Sequence, residues 1–110
     1  MSINRDLKSA LEAVAPVEAD TYEGKKAVYI TINYNTVPVD FGDDEADHER
    51  VLYQVHLFAP TGYDTIKQRR AIKRALAALG STWPTMENAS DKQGQHLIFE
   101  GELAIRAGAE

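Results

Sequence analysis

The sequence predicts an α+β domain, in which an antiparallel sheet of three to four strands carries two helices on one face. Two stretches place apolar residues at spacings of three and four, which is typical of helices with one buried side. Other stretches alternate apolar and polar residues, or are rich in β-branched and aromatic residues, as strands are. The elements follow in the order α-β-β-α-β-β. Because 110 residues suffice for one core, we expect a single two-layer domain over residues 1–110.

The first helix and the first strand are separated by a polar loop. The helix is predicted over Ile3–Ala15, and Pro16 ends it because the residue before a proline is pushed out of the α region. The loop covers Val17–Lys26. The strand is predicted over Ala27–Tyr34, where β-branched and aromatic side chains fall on both faces. The segment from Asn35 to Asp47 is then predicted to be a loop.

The middle of the chain predicts a long strand followed by a helix. The strand covers Glu49–Ala59 and is apolar on most of both faces, so we expect it at the centre of the sheet. Pro60 ends it because a proline cannot donate to a strand ladder. The helix is predicted over Asp64–Leu79, and Gly80 follows as the residue that ends it.

The last third of the chain predicts a β-hairpin. Its first strand, Ser81–Glu87, contains Pro84 and is therefore expected at an edge of the sheet. A turn-rich connection leads to the last strand, Gln95–Ile105. A loose tail is expected from about residue 106 to residue 110.

Composition excludes several classes of function. The net charge of −5 argues against general affinity for nucleic acid or anionic membranes, and no apolar run is long enough to span a bilayer. The absence of cysteine excludes disulfides, thiolate nucleophiles and thiolate metal sites. The three histidines, His48, His56 and His96, are too scattered for a metal signature, although the last two are possible cross-strand neighbours. No spacing supports a catalytic triad or a phosphate-binding loop, so we expect no enzyme, no metal and no cofactor.

Charge is strongly segregated along the chain. Six carboxylates fall within the ten positions 40–49: Asp40, Asp43, Asp44, Glu45, Asp47 and Glu49. Five bases fall within eight positions of the second helix: Lys67, Arg69, Arg70, Lys73 and Arg74. At 100° per residue most of these bases lie opposite the apolar stripe of the helix.

Each charge cluster has a structural and a functional interpretation. The acidic stretch fits a solvated loop, an electrostatic surface for a partner, or a weak divalent site, although it lacks the ligand spacing of a calcium loop. The basic face fits a solvated helix side, a protein partner, or DNA or RNA. Together the clusters suggest that copies of the chain meet head to tail, as subunits of closed rings do. On this hypothesis, reversing Arg70 and Lys73 to Glu abolishes self-assembly without unfolding the chain.

Five stretches occur in an order that is shared with a known family: Tyr29–Tyr34, the acidic loop with Asp43-Asp44, Tyr53–Pro60, Ala78–Gly80 and His96–Glu100. In this succession, over about residues 3 to 104, the chain resembles the small tail-completion proteins, or tail terminators, of long-tailed phages and prophages. The resemblance is one of pattern and order.

The resemblance implies a structural role in the virion. Tail terminators are α+β proteins that form a ring, typically a hexamer, on the head-proximal end of the tail tube. The ring stops tube polymerisation and joins the tail to the head, so the implied partners are other copies of the chain, the tail tube protein and the head-tail connector protein. DNA is only passing cargo, and no membrane takes part. The implied location is the virion, and the host cytoplasm during assembly.

Two alternatives stay open. One is another neck component, such as a connector or stopper protein. The other is a small nucleic-acid-binding module that uses the basic helix face at 67–74, for which a steep dependence of DNA affinity on salt is the discriminating property.

Overall fold

Two helices and five strands make up the part of the chain described by the computed structural model, residues 3–39 and 48–106. They are α1 (Ile3–Leu11), β1 (Val17–Ala19), β2 (Tyr29–Val39), β3 (His48–Ala59), α2 (Ile66–Ala78), β4 (Thr85–Asn88) and β5 (Gln95–Arg106). The strands form one sheet in the order β1-β2-β3-β5-β4. The pair β1–β2 is parallel, and the other three pairs are antiparallel.

The α+β class and the two helices are confirmed, but the predicted sheet was wrong in detail. The sheet has five strands and is mixed. The additional strand is β1, which pairs in parallel with β2 and was predicted as loop. β1 is only three residues long, which is too short to show an alternating pattern. Its pairing depends on β2: the N–H of Ile30 donates to the Pro16 carbonyl, and the N–H of Asp20 donates to the Ile32 carbonyl, both at 2.8 Å. Such a contact is not visible in local sequence.

The first hairpin is longer than predicted. Residues 35–39 were predicted as loop, but they continue β2 and pair with β3 as far as Val39 opposite His48. Pro38 is compatible with this strand because even-numbered residues of β2, such as Ile30, direct their N–H groups away from β3. A proline at that position removes no bond to β3. Residue 106, where the tail was expected to begin, is the last residue of β5, and residues 107–110 lie outside the described ranges.

The core lies between the two helices and one face of the sheet, here called the inner face. α1 contributes Ile3, Leu7 and Leu11, and α2 contributes Ile72 and Leu76, all essentially inaccessible. The inner face contributes alternate residues of the three long strands: Ile30, Ile32, Val51, Tyr53, Val55, Leu57, Leu97, Phe99 and Leu103. β3 lies in the middle, as its apolar character on both faces indicates. In residues 3–39 and 48–106, no helix has the length and apolar character needed to cross a membrane.

Gly80 ends α2 as the sequence predicts. Its φ of +91° is a conformation that residues with a side chain rarely adopt. The N–H of Gly80 donates to the Ala77 carbonyl at 3.0 Å, and the N–H of Ser81 donates to the Leu76 carbonyl at 3.3 Å. These two bonds form a Schellman motif, which satisfies carbonyls at the end of the helix and turns the chain back toward the sheet.

The sheet continues well past the end of α2. The Ser81 hydroxyl, just after the helix, accepts a 2.6 Å hydrogen bond from the Tyr53 hydroxyl. It donates a hydrogen bond to the Thr82 carbonyl at 2.5 Å. From Tyr53, β3 runs on to His48, about 17 Å of strand at about 3.3–3.4 Å per residue. We call this extension, residues 35–39, 48–52 and 102–106, the arm. The arm is consistent with the radius of gyration of 15.0 Å, which exceeds the value of about 13 Å expected for a compact domain of this length.

Gly101 is required where Tyr53 crosses β5. The two residues are directly paired, and a Cβ at position 101 would lie 2.3 Å from the Tyr53 Oη and 2.8 Å from its Cζ. Gly101→Ala is therefore expected to destabilise the fold by about 1–3 kcal/mol, although alanine is normally the better strand residue. Urea denaturation measures this change. The penalty is expected to shrink in a Tyr53→Phe background, which lacks the nearest atom. A variant as stable as the native chain would contradict the predicted clash.

Candidate functional site

The solvent side of α2 carries the predicted basic cluster. Lys67, Arg70 and Arg74 are exposed and, at 100° per residue, fall within about 60° of one another, opposite the buried side of the helix. Arg69 and Lys73 lie at its flanks and are partly buried. The structure therefore brings the five predicted bases onto one helix, with three of them forming a single exposed row.

This arrangement of bases is locally unfavourable. α2 contains no acidic residue, so its bases repel one another at spacings of three and four. Lys67 and Arg69 also lie in the first turn, at the positive end of the helix dipole. Among the described residues, no carboxylate forms an ion pair with the exposed row. At its flank, the Nε–H of Arg69 donates a hydrogen bond to the Thr65 hydroxyl at 2.8 Å. Contact with a negatively charged surface would relieve this repulsion.

The predicted acidic cluster is attached at the other end of the molecule. Asp40, Asp43, Asp44, Glu45 and Asp47 lie outside the described residues. Glu49 belongs to β3, where it is paired with Pro38 and Ile105. The acidic stretch joins Val39 to His48, and both of these residues lie at the end of the arm, beyond the level where α2 stops.

The outer face of the sheet, which faces away from the helices, carries a ladder of rings that the sequence did not predict. The ring centroids follow one another at 4.3 Å from Tyr22 to Tyr29, 4.8 Å to Phe58, 4.3 Å to His96 and 5.0 Å to His56. Tyr29, Phe58 and His96 stand directly opposite one another on β2, β3 and β5. Cross-strand aromatic pairs stabilise a sheet, so the ladder holds the three long strands together.

The stacking within the ladder limits what the rings can bind. The first three contacts have interplanar angles of 12–18°, so each inner ring covers the faces of its neighbours. Sheets that recognise single-stranded RNA instead offer free aromatic faces to the bases. The exposed bases of α2 also lie on the opposite side of the sheet. The stacked rings of the outer face and the exposed bases of α2 thus do not form one surface.

His56 is the most constrained titratable group of the outer face. Its Nδ1 lies 2.7 Å from the His96 Nε2, and its Nε2 lies 3.2 Å from both the Gln54 Oε1 and the Asn33 Nδ2. Gln54 donates in turn to Glu100 at 3.0 Å. Burial lowers the pKa of His56 below 6.5, and the neighbouring His96 lowers it further, while Glu100 opposes both effects. Burial therefore favours the uncharged form of His56, which hydrogen-bonds to its neighbours in the folded chain.

The same face contains a shallow groove of about 630 Å³ beside β4. Its lining combines exposed apolar side chains, Leu52 and Trp83, with polar ones, among them Asn33, Gln54 and Glu100. Trp83 is 65% exposed, so it does not belong to the core and has the character of an interface anchor. Among the described residues, no three His, Cys, Asp or Glu side chains are grouped as metal ligands are.

The exposed large apolar residues fall into two groups of opposite electrostatic setting. Val37, Leu52 and Trp83 lie on the outer side of the sheet, and Tyr63 and Ile66 lie at the start of α2. We call Leu52, Trp83, Glu87 and Glu100 the acidic patch, and Tyr63, Ile66, Lys67, Arg70 and Arg74 the basic patch. The charged members of both patches are exposed. The sheet separates the two patches.

The lowered pKa of His56 predicts a loss of stability on mild acidification. Between the lowered pKa of His56 in the folded chain and its unfolded value of 6.5, the folded state binds fewer protons than the unfolded state. The contribution of His56 to the free energy of unfolding is therefore complete above pH 6.5 and is lost as the pH falls through the folded pKa. The free energy of unfolding, measured with urea from about pH 7.5 to about pH 5, is expected to fall. His56→Gln is expected to flatten this part of the profile, and Glu100→Gln to steepen it. An unchanged slope in His56→Gln would assign the effect to other groups.

The repulsion within α2 predicts that a charge reversal stabilises the isolated chain. Lys67→Glu places a carboxylate at the positive end of the helix dipole and removes like-charge contacts, so we expect a gain of about 0.3–1 kcal/mol in the free energy of unfolding. Urea denaturation at low salt measures it. Lys25→Glu, an equal charge change in an exposed loop, serves as the control and is expected to have little effect. A destabilised Lys67→Glu would show that this lysine has a structural role.

Comparison of the chain with protein-family models and with curated proteins finds no match.

Proposed function

We propose that this chain is a structural assembly protein that caps the head-proximal end of a phage or prophage tail tube. In this role it forms a ring that ends tube polymerisation and joins the tail to the head. The family resemblance implies that this ring is a hexamer. Its partners are other copies of itself, the tail tube protein and the head-tail connector protein. DNA passes through the ring as cargo, and no cofactor is needed.

The observation that carries the proposal is the pair of unlike patches on opposite sides of the sheet. A surface that binds a different surface on the next copy makes a heterologous contact, and heterologous contacts close into rings when the rotation between copies fits. A twofold dimer instead needs a patch that complements itself. An apolar, acidic patch and an apolar, basic patch complement each other but not themselves.

The arm adds a second element suited to ring assembly. It carries the strands beyond the level where α2 ends, with Arg50 and Glu102 joined by a bidentate ion pair across β3 and β5. The acidic stretch 40–47 is attached at its end. A projecting element of this kind suits contact with the tube protein below the ring or the connector above it, and acidic residues near the channel would favour sliding of DNA over binding.

The second candidate function is nucleic-acid binding through α2. The observation that favours it is the exposed row of Lys67, Arg70 and Arg74, for which the described residues offer no ion-pair partner. Against it stand the net charge of −5 and the mutual stacking of the outer-face rings. DNA affinity that falls steeply with salt would favour this candidate, since phosphate contacts release counterions.

Assembly into a ring that stops tube growth tests the proposed function. We expect sedimentation velocity to show one closed oligomer, with a central hole by negative-stain electron microscopy. When the purified chain is added to the polymerising tube protein encoded beside its gene, tubes are expected to stop lengthening and to carry a ring at one end. Lys25→Glu serves as a surface control and is expected to behave as the native chain does.

Two outcomes would overturn the proposal. One is a chain that stays monomeric and leaves tube growth unchanged. The other is a gene with no virion genes on either side, since a tail-completion gene is expected beside connector and tube genes. Ring formation without any effect on tube growth would favour another neck component, such as a connector or stopper.

A further inference from the structure

The two patches match each other in make-up as well as in charge. Each combines a large exposed aromatic residue with a second exposed apolar residue: Trp83 with Leu52 in one, Tyr63 with Ile66 in the other. The charged members of each patch have a single sign, and Arg50, next to Leu52 on the outer face, is paired with Glu102. Resting on the proposed function, we infer that the basic patch of one copy docks on the acidic patch of the next copy.

Charge complementarity identifies the occupant of the acidic patch. Glu87 and Glu100 project from neighbouring strands on the outer face, since β4 and β5 pair with Thr85 opposite Glu100 and Glu87 opposite Ile98. Lys67, Arg70 and Arg74 lie along one exposed side of α2 and are not neutralised by any described carboxylate. Docking α2 on this face removes the repulsion within the helix at the same time as it pairs both carboxylates.

The apolar members supply the anchor of the contact. Tryptophan and tyrosine dominate binding energies when they are buried at the centre of an interface. Trp83 borders the groove with Leu52, and the start of α2 presents Ile66 and Tyr63, whose hydroxyl accepts a 3.4 Å hydrogen bond from Gln68. A helix on the outer face also gives the sheet a second covering layer, which residues 3–39 and 48–106 of its own chain do not provide.

Reciprocal charge reversal tests this contact. Arg70→Glu with Arg74→Glu is expected to abolish self-association, because acidic then meets acidic, and Glu87→Lys with Glu100→Lys is expected to abolish it because basic meets basic. Mixing the two variants in equal amounts restores opposite charges at every contact of an alternating ring. By sedimentation velocity, we therefore expect self-association of each variant alone to be at least about tenfold weaker than that of the native chain. The mixture is expected to recover the oligomer.

Cross-linking provides a second measurement that does not depend on charge. The chain has no cysteine, so introduced thiols react without background. Arg74→Cys mixed with Glu87→Cys is expected to give a covalent dimer with a short bis-maleimide, whereas Arg74→Cys mixed with Lys25→Cys is not. Circular dichroism confirms that each variant is folded.

The outcomes separate this contact from the proposed function. Two results would overturn the contact and leave ring assembly standing. One is ring formation by both charge-reversed variants, and the other is the absence of a cross-link between Arg74→Cys and Glu87→Cys. Dimers formed by Arg74→Cys alone would overturn it in favour of helix-to-helix pairing. A native chain that neither associates nor caps tubes would overturn both proposals.

Discussion

The structure depends on one constraint: two short helices can cover only one face of a five-stranded sheet. α1 and α2 bury the centre of the inner face, and the apolar stripes of both helices are used up in doing so. The outer face must therefore be stabilised by contacts of its own. The ladder from Tyr22 to His56 and the polar network around His56 meet that need, because they join β2, β3 and β5 without any covering layer.

This one-sided packing creates two surfaces that differ in chemistry. On the helix side, α2 directs its buried residues inward and its bases into solvent, at some cost to its own stability. On the sheet side, Trp83 and its neighbours remain exposed beside carboxylates. Because the sheet separates these surfaces, they cannot satisfy each other within one chain. Their complementarity is available only between chains, which is the basis of our proposal that copies of the chain assemble.

Local pattern predicted the features that local interactions determine. The spacing of apolar residues identified α1 and α2, and Gly80 marked the end of α2, since a positive φ there is a property of a single position. β1 was missed because three residues carry no periodicity, and its strand character comes from β2. Residues 35–39 were missed because Pro38 and the adjacent acids indicate a loop, whereas the pairing with β3 decides their structure. The basic row was predictable from helical geometry. The ring ladder was not, because it depends on the register of three strands.

Pro38 has a consequence for the kind of assembly that is possible. β1 covers the outer edge of β2 only as far as Ile32, and within the described residues no strand pairs with that edge beyond it. An open strand edge is a template for adding further strands, which leads to fibres without a fixed end. The proline presents no N–H toward this edge, so an incoming strand would lack a donor near the end of the arm. Growth by strand addition is thereby discouraged, and association through side chains on the faces of the molecule, which can stop at a fixed number of copies, is left as the favoured route.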